Sequence, residues 1–420
     1  MEVCLRTKAL LLSSESFGIF TVRHVVLSIL VLSLFRASGA ALQEGESCSS
    51  SGSCDTGLRC ATCSTNRNSG GLCSRFQPII PTTKVKGLPF NKYSWLTTHN
   101  SFALLGATSA TGSTLITQFN QEDSVTSQLK NGVRGLMLDM YDFMNDIWLC
   151  HSFEGKCYNF TSFQPAVNIL KEVELFLGSN PTEIVTIFIE DYVTSPMGLS
   201  KVFNTSGLTK YWFPVSRMPK NGSDWPTVDD MVKHNQRLVV FTSKSAKEAT
   251  EGIAYTWRHV VENQYGDGGM RSGSCPNREE SSVLSTTSVN LFLENYFRTD
   301  PNETQACLDN SAPLPTMITT CYSAAGKRWP NYIAVDFYQR SSGGEVAKAV
   351  DRTNGQLTCG CESISYCVAN TTFGTCKIPP KPSAQNISAG PSSPSSKATN
   401  LLFQWPLFTL LTLIYCSWLL

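Results

Sequence analysis

Trp95-Leu96-Thr97-Thr98-His99-Asn100-Ser101-Phe102 opens the stretch that decides the fold, Gly132-Val133-Arg134-Gly135-Leu136-Met137-Leu138-Asp139 continues it, and Asp146-Ile147-Trp148-Leu149-Cys150-His151 closes it. Each piece is a short β-type run that ends in a polar residue able to do chemistry: His99 with Asn100, then Asp139, then His151. Further along, Ile184-Val185-Thr186-Ile187-Phe188-Ile189-Glu190 and Tyr332-Ile333-Ala334-Val335-Asp336 repeat the pattern. Reactive groups at the C-terminal ends of successive strands are what a TIM-type (β/α)8 barrel presents, so an α/β barrel is expected over residues 78–355.

Helical periods fill the spaces between these runs. Residues 118–130 predict the first barrel helix, with Val125 and Leu129 as its apolar stripe. Residues 163–177 give the clearest helix, stopped by Gly178-Ser179-Asn180-Pro181. A short helix is expected over 227–234, a strand over 237–244 with Lys244 at its exit, and a closing helix over 343–352. Residues 266–315, rich in Ser, Asn and Gly, carry no clear period. Arg134 shares a strand face with Leu136 and Leu138, opposite to Asp139, which predicts a structural role for it.

The strand-end motifs resemble the X region of phosphatidylinositol-specific phospholipase C. His99-Asn100 is similar to the family's first histidine and its asparagine, Gly132 to Asp139 to its G-x-R-x-L-x-L-D strand, His151 to its second histidine, and Glu190 to an acidic strand end. The resemblance implies a phosphoric diester hydrolase in which His99 is the base, His151 the acid and Asp336 the carboxylate that orients His99. Histidine suits both tasks because its ordinary pKa lies near neutrality. The resemblance also implies a calcium site with oxygen ligands from Asn100, Asp139 and Glu190. A further acidic position of that site is Met137 here, which offers no oxygen to a hard cation, so a weakened or altered metal site is expected. Lys244 occupies a strand end where family members hold the phosphates or the polar head of the substrate, and a lysine can serve there as a point charge.

The ends of the chain place it outside the cell. Residues 1–40, with an apolar run over 25–35 and small residues at Ser38-Gly39-Ala40, read as a secretory signal peptide. Residues 379–400 form a Pro- and Ser-rich stalk, and 401–420 an apolar terminus without charge, which together predict lipid (GPI) attachment near Ser388. Of sixteen cysteines, Cys4 lies in the leader and Cys416 in the tail, leaving an even fourteen for disulfides in an oxidising compartment. Five of them, Cys48, Cys54, Cys60, Cys63 and Cys73, crowd a module over 41–77 too poor in apolar residues to build a core. Because five is odd, one is expected to reach the barrel. The spacing Cys60-x-x-Cys63 is read as disulfide chemistry rather than zinc, since no histidine lies near. Cys359, Cys361, Cys367 and Cys376 mark a second disulfide-bound segment over 356–378. Sequons at Asn159, Asn204, Asn221, Asn302, Asn370 and Asn386 point the same way.

A formal charge of +1 gives no reason for a nucleic acid partner. The expectation is therefore a monomeric phosphodiesterase on the outer face of the plasma membrane, acting on an inositol phospholipid or a related phosphodiester. The alternative keeps the barrel but not the reaction: a GPI-anchored binding or structural protein in which Met137 marks a relaxed metal site. A glycerophosphodiester phosphodiesterase, also a barrel, is disfavoured by the His99-Asn100 and Gly132-to-Asp139 matches.

Overall fold

The computed structural model describes residues 41–61, 63 and 70–377. The leader, the stalk with Asn386 and Ser388, and the apolar terminus lie outside the described residues. Eight strands form one parallel sheet: β1 (Trp95–Thr98), β2 (Val133–Phe143), β3 (Val185–Tyr192), β4 (Leu238–Thr242), β5 (Ala254–Tyr255), β6 (Val260–Glu262), β7 (Leu291–Tyr296) and β8 (Tyr332–Val335). Their order is β5-β4-β3-β2-β1-β8-β7-β6, so the two edges of the sheet are consecutive in the chain. Side chains with two strands between them meet across the inside: the hydroxyls of Thr186 on β3 and Tyr332 on β8 lie 3.0 Å apart, and Phe188 packs edge-on against Tyr332. The sheet is therefore rolled into a barrel whose one seam, between β5 and β6, is left without strand pairing among the described residues.

Strand alternation divides the core into two layers. Trp95, Phe188, Phe241, Leu293 and Ala334 fill the interior, while Leu136, Leu138, Ile187, Val240, Phe292 and Val335 face the helices outside. Glu294 on β7 shares the outward face of Phe292 and Tyr296, is fully buried, and neither of its carboxylate oxygens has a hydrogen-bond partner. Burial pushes its pKa up to about 8.

Two glycines are required by geometry. Gly132 turns the chain into β2 at φ +91°, and a Cβ on Gly135 would stand 2.2 Å from Thr97 Oγ1, so only glycine lets β1 and β2 approach where their register shifts. Arg134 is buried as expected, its Nε donating to Glu183 at 2.7 Å and its guanidinium lying over Phe176.

The helices differ from expectation mainly at their starts. The first, α1, is Val125–Lys130, not 118–130; the Ser124 side chain accepts from the Ser127 N–H and caps it. Residues 118–124 instead spend their polar groups on the barrel rim. The next, α2 (Ala166–Ser179), follows a short strand, Ser162–Pro165, and begins where Pro165 removes an N–H. Residues 228–233 form a helix capped by Thr227, as expected, and the closing helix runs Glu345–Thr358, past its predicted end at residue 352. The period-free region folds around α3 (Glu303–Asp309) and α4 (Pro313–Ala324).

Seven disulfides join all fourteen cysteines. Within the N-terminal module Cys48 pairs with Cys60 and Cys54 with Cys73, and the odd one, Cys63, reaches Cys307 on α3. Arg59 of the module also donates to the Gln339 carbonyl just beyond β8. The module is a clasp on the barrel. The later cysteines close among themselves, Cys359 with Cys367 and Cys361 with Cys376. Among the described residues no helix is long and apolar enough to cross a membrane.

Candidate active site

The site lies at the C-terminal ends of the strands, where the barrel leaves side chains without strand neighbours above them. His99 follows β1. Its N–H donates to the Val335 carbonyl and its Nδ1 stands 3.0 Å from Asp336 Oδ1, so the buried carboxylate fixes both the ring and its tautomer. The residues after each partner, Asn100 and Phe337, take left-handed backbone (φ 40° and 45°) to turn the chain off the strand ends. Phe297, beyond β7, stacks on the imidazole with centroids 3.7 Å apart. Asn120 Nδ2 donates to the same Asp336 oxygen at 3.0 Å, and Gln121 Nε2 ties the His99 carbonyl to that of Val335. These are the contacts that residues 118–124 make instead of helix.

His151 arrives differently. β2 continues past the rim into a hairpin with Asp146–Cys150, which returns the chain to the site. The Cys150–Cys157 disulfide closes the loop that carries His151, its Nδ1 lies 3.1 Å from the Gln118 carbonyl, and its own carbonyl accepts from Thr117 Oγ1. With Nδ1–H donating to a carbonyl, Nε2 is the nitrogen left for chemistry. Burial, followed by the nearby His99, lowers its pKa below the usual histidine value.

Asp139 and Glu190 are register partners on β2 and β3, so their side chains stand side by side. Burial, and then the charge of Glu190, push the Asp139 carboxyl well above the ordinary carboxylate range. The Asn100 amide lies 3.0 and 3.2 Å from the two Asp139 oxygens: turned one way it donates to both, and turned the other it presents a third oxygen. Asn100, Asp139 and Glu190 thus offer the hard oxygen set that suits a calcium-type cation, while Met137, on the same strand face as Asp139, adds none. Glu190 also accepts from the Tyr192 hydroxyl. Lys244 is exposed at the end of β4, its ammonium 6.0 Å from the Tyr192 ring, which places it on the rim beside Glu190 rather than in the cleft wall.

His99, Met137, Asp139, Glu190, Glu262 and Arg278 line one cleft. The last two went unread in the sequence, as did Asn120, Gln118 and Phe297. Glu262 ends the apolar pair Val260-Val261, the same signal that marks His99 and Asp139. Arg278 had none: it rises from a loop without period, its guanidinium between the faces of Trp257 and Tyr265 at 4.9 and 4.7 Å. It donates to Glu262 (3.2 Å) and to both oxygens of Glu280 (3.0 and 3.2 Å). Burial opposes its charge, but Glu262, Glu280 and the more distant Glu190 hold it above the usual arginine range. The sequon asparagines 159, 204, 221, 302 and 370 are all exposed; Asn302 also caps α3 through its side-chain oxygen.

Several known proteins resemble this chain. The PI-PLC X domain profile matches residues 90–354. A PI-PLC X domain-containing protein of Arabidopsis thaliana is 52% identical over 389 residues, 91% of each chain. PI-PLC X domain-containing protein 1 of Arthroderma benhamiae is 26% identical over 259 residues, 57% of this chain and 79% of that one. Among solved structures, the phosphatidylinositol-specific phospholipase C of Listeria monocytogenes superposes with a TM-score of 0.43 at 14% identity, over 65% of this chain and 98% of that one. By the extent of the profile match and of the Arabidopsis relative, the chain belongs to the PI-PLC X domain family.

Proposed function

We propose that the protein is a phosphoric diester hydrolase that cleaves an inositol phosphodiester by paired histidine acid–base catalysis at the outer cell surface. The observation that carries this reading is the His99–Asp336 pair with His151 held close enough for the two imidazoles to feel each other's charge. His99, its Nδ1–H held by Asp336, would accept at Nε2 the proton of the ring 2-hydroxyl as that oxygen attacks phosphorus. Asp336 steadies the imidazolium that results. The bond from phosphorus to the lipid oxygen breaks, and the departing alkoxide takes the proton on His151 Nε2, leaving a 1,2-cyclic phosphate. A depressed pKa makes protonated His151 the stronger proton donor while reducing the fraction of it that is protonated near neutral pH. A calcium-type ion, when bound, would neutralise charge on the phosphoryl oxygens; Asn100, Asp139 and Glu190 would hold it. Lys244 on the rim would receive the anionic part of the lipid head.

Fourteen cysteines joined in seven disulfides support an oxidising, extracellular setting. A lipid anchor near Ser388 would hold the protein at the membrane as a monomer. A second reading, a surface binding protein with a relaxed site, is favoured by Met137 alone. The two separate in one assay: release of water-soluble inositol phosphate from phosphatidylinositol vesicles, with calcium and with chelator. The hydrolase reading expects release that disappears in His99→Ala and His151→Ala, each folded by circular dichroism. No release from the folded wild-type protein under either condition sinks it in favour of the binding protein.

A further inference from the structure

The loop that carries His151 has an apolar rim. Phe153, Tyr158 and Phe160 form a stack of three rings, with Tyr158 in the middle and a centroid 5.3 Å away on either side. The Ile116 N–H donates to the Phe160 carbonyl at 2.8 Å, which brings a second loop to the same place. Phe153 is 55%, Phe160 38% and Ile116 74% exposed, so three of the eleven large apolar side chains exposed among the described residues gather here. Exposed apolar clusters of this kind mark contact surfaces.

A cover is written into the same turn. The Thr161 N–H donates to the Tyr158 carbonyl at 2.9 Å and the Tyr158 N–H to Thr161 Oγ1 at 3.0 Å, which puts Asn159 at an exposed corner between two of the stacked rings. Asn159-Phe160-Thr161 is a sequon. Among the described residues the Asn159 side-chain amide and the Tyr158 hydroxyl have no hydrogen-bond partner, whereas Asn302, in another sequon, spends its side-chain oxygen on capping α3. A pyranose presents C–H groups on its faces and polar groups around its edge, a shape that suits the negative face of an aromatic ring with a hydroxyl beside it. A sugar joined to Asn159 is held near the rings at an effective concentration of about millimolar, so even weak stacking keeps it there.

Resting on the extracellular setting proposed above, we infer that Asn159 carries an N-linked glycan whose first sugars lie on the Phe153–Tyr158–Phe160 stack and keep this rim from docking on a bilayer. The Cys150–Cys157 disulfide, which closes the loop, holds the covered rim beside His151.

The test uses the full chain made in eukaryotic cells and, where it stays on the membrane, freed by cleavage of its lipid anchor. Peptide mass spectrometry should find a glycan on Asn159. Hydroxyl-radical footprinting then reads the rings: Phe153, Tyr158 and Phe160 are expected to oxidise at least threefold faster in Asn159→Gln than in the wild type, with exposed Leu175 on α2 unchanged as the control. Should that variant not fold by circular dichroism, enzymatic removal of the glycans from the folded wild type gives the same comparison. Phosphatidylcholine vesicles should slow oxidation of the rings without the glycan and leave the glycosylated protein as it was. An empty Asn159 beside glycosylated Asn204 or Asn302 overturns this inference alone, while six empty sequons sink the extracellular reading and the inference with it. Equal oxidation with and without the glycan, or vesicles that protect the rings in both forms or in neither, also overturns it.

Discussion

Glu294→Gln removes a proton-linked weakness from the outer layer of the barrel. The wild-type carboxyl titrates near 4.5 in the unfolded chain and at about 8 in the fold, where burial leaves both oxygens without partners. Between those values the unfolded chain has released the proton and the folded chain still holds it. Rising pH therefore favours unfolding. Stability tied to this group is fully present below pH 4.5, declines through the window from 4.5 to 8, and changes no further above it. The whole interval is 3.5 pKa units, about 5 kcal/mol at 1.36 kcal/mol per unit. From about pH 5.5 to 8.5 the wild type should lose about 3 kcal/mol more than the variant, by the same conversion. Glutamine keeps the shape and the polar burial, so the difference in slope, not the absolute stability, isolates the proton. Urea unfolding with the disulfides intact, followed by tryptophan fluorescence at intervals across this range, gives both curves. Parallel curves would show that the carboxyl is ionised in the fold, and the reasoning from its burial would be wrong.

Three further outcomes are expected. Asp336→Asn should lower turnover by ~10²-fold or more with little change in KM, since it removes the charge that steadies the His99 imidazolium; stopped assays on the folded variant check it. Arg134→Ala should destabilise the fold by about 3–5 kcal/mol through the uncompensated Glu183 carboxylate, with kcat of the folded fraction unchanged; denaturant unfolding beside the activity assay separates the two. Met137→Glu should tighten calcium binding at least tenfold by adding an oxygen ligand next to Asp139, read by titration calorimetry.

The C-terminal end of the barrel strands was legible because the sequence marks it with a simple contrast: an apolar run closed by a polar residue. His99, Asp139, His151, Glu190 and Asp336 all carry that mark, and the fold brings them to one rim. Residues 118–124 misled because their spacing continues the helical stripe of Val125 and Leu129. Their amides and carboxylate bond to the barrel rim instead, which is the competition between local side-chain bonding and helix that a period cannot reveal. Arg278 was hidden for another reason. It sits sixteen positions after Glu262 in a loop whose course is set by partners far off in the chain, Cys275 with Cys321 among them. The odd cysteine of the N-terminal module foretold a bond to the barrel, but nothing local to Cys63 names Cys307.

That bond has a consequence for how the chain is made. Cys63 leaves the ribosome 244 residues ahead of Cys307. At ordinary elongation rates of roughly 5–20 residues per second, its thiol waits roughly 12 to 50 seconds for its partner. Throughout that time it stands near the Cys48–Cys60 and Cys54–Cys73 disulfides, and its thiolate can attack either, releasing one cysteine as a new thiol and forming a wrong pair. The module cannot finish correctly until most of the barrel has emerged, so although it is translated before the barrel it is completed late. A ribosome stalled before residue 307 would hold the module with Cys63 still waiting and a sheet still lacking β8, and such chains are the ones on which a disulfide isomerase would act.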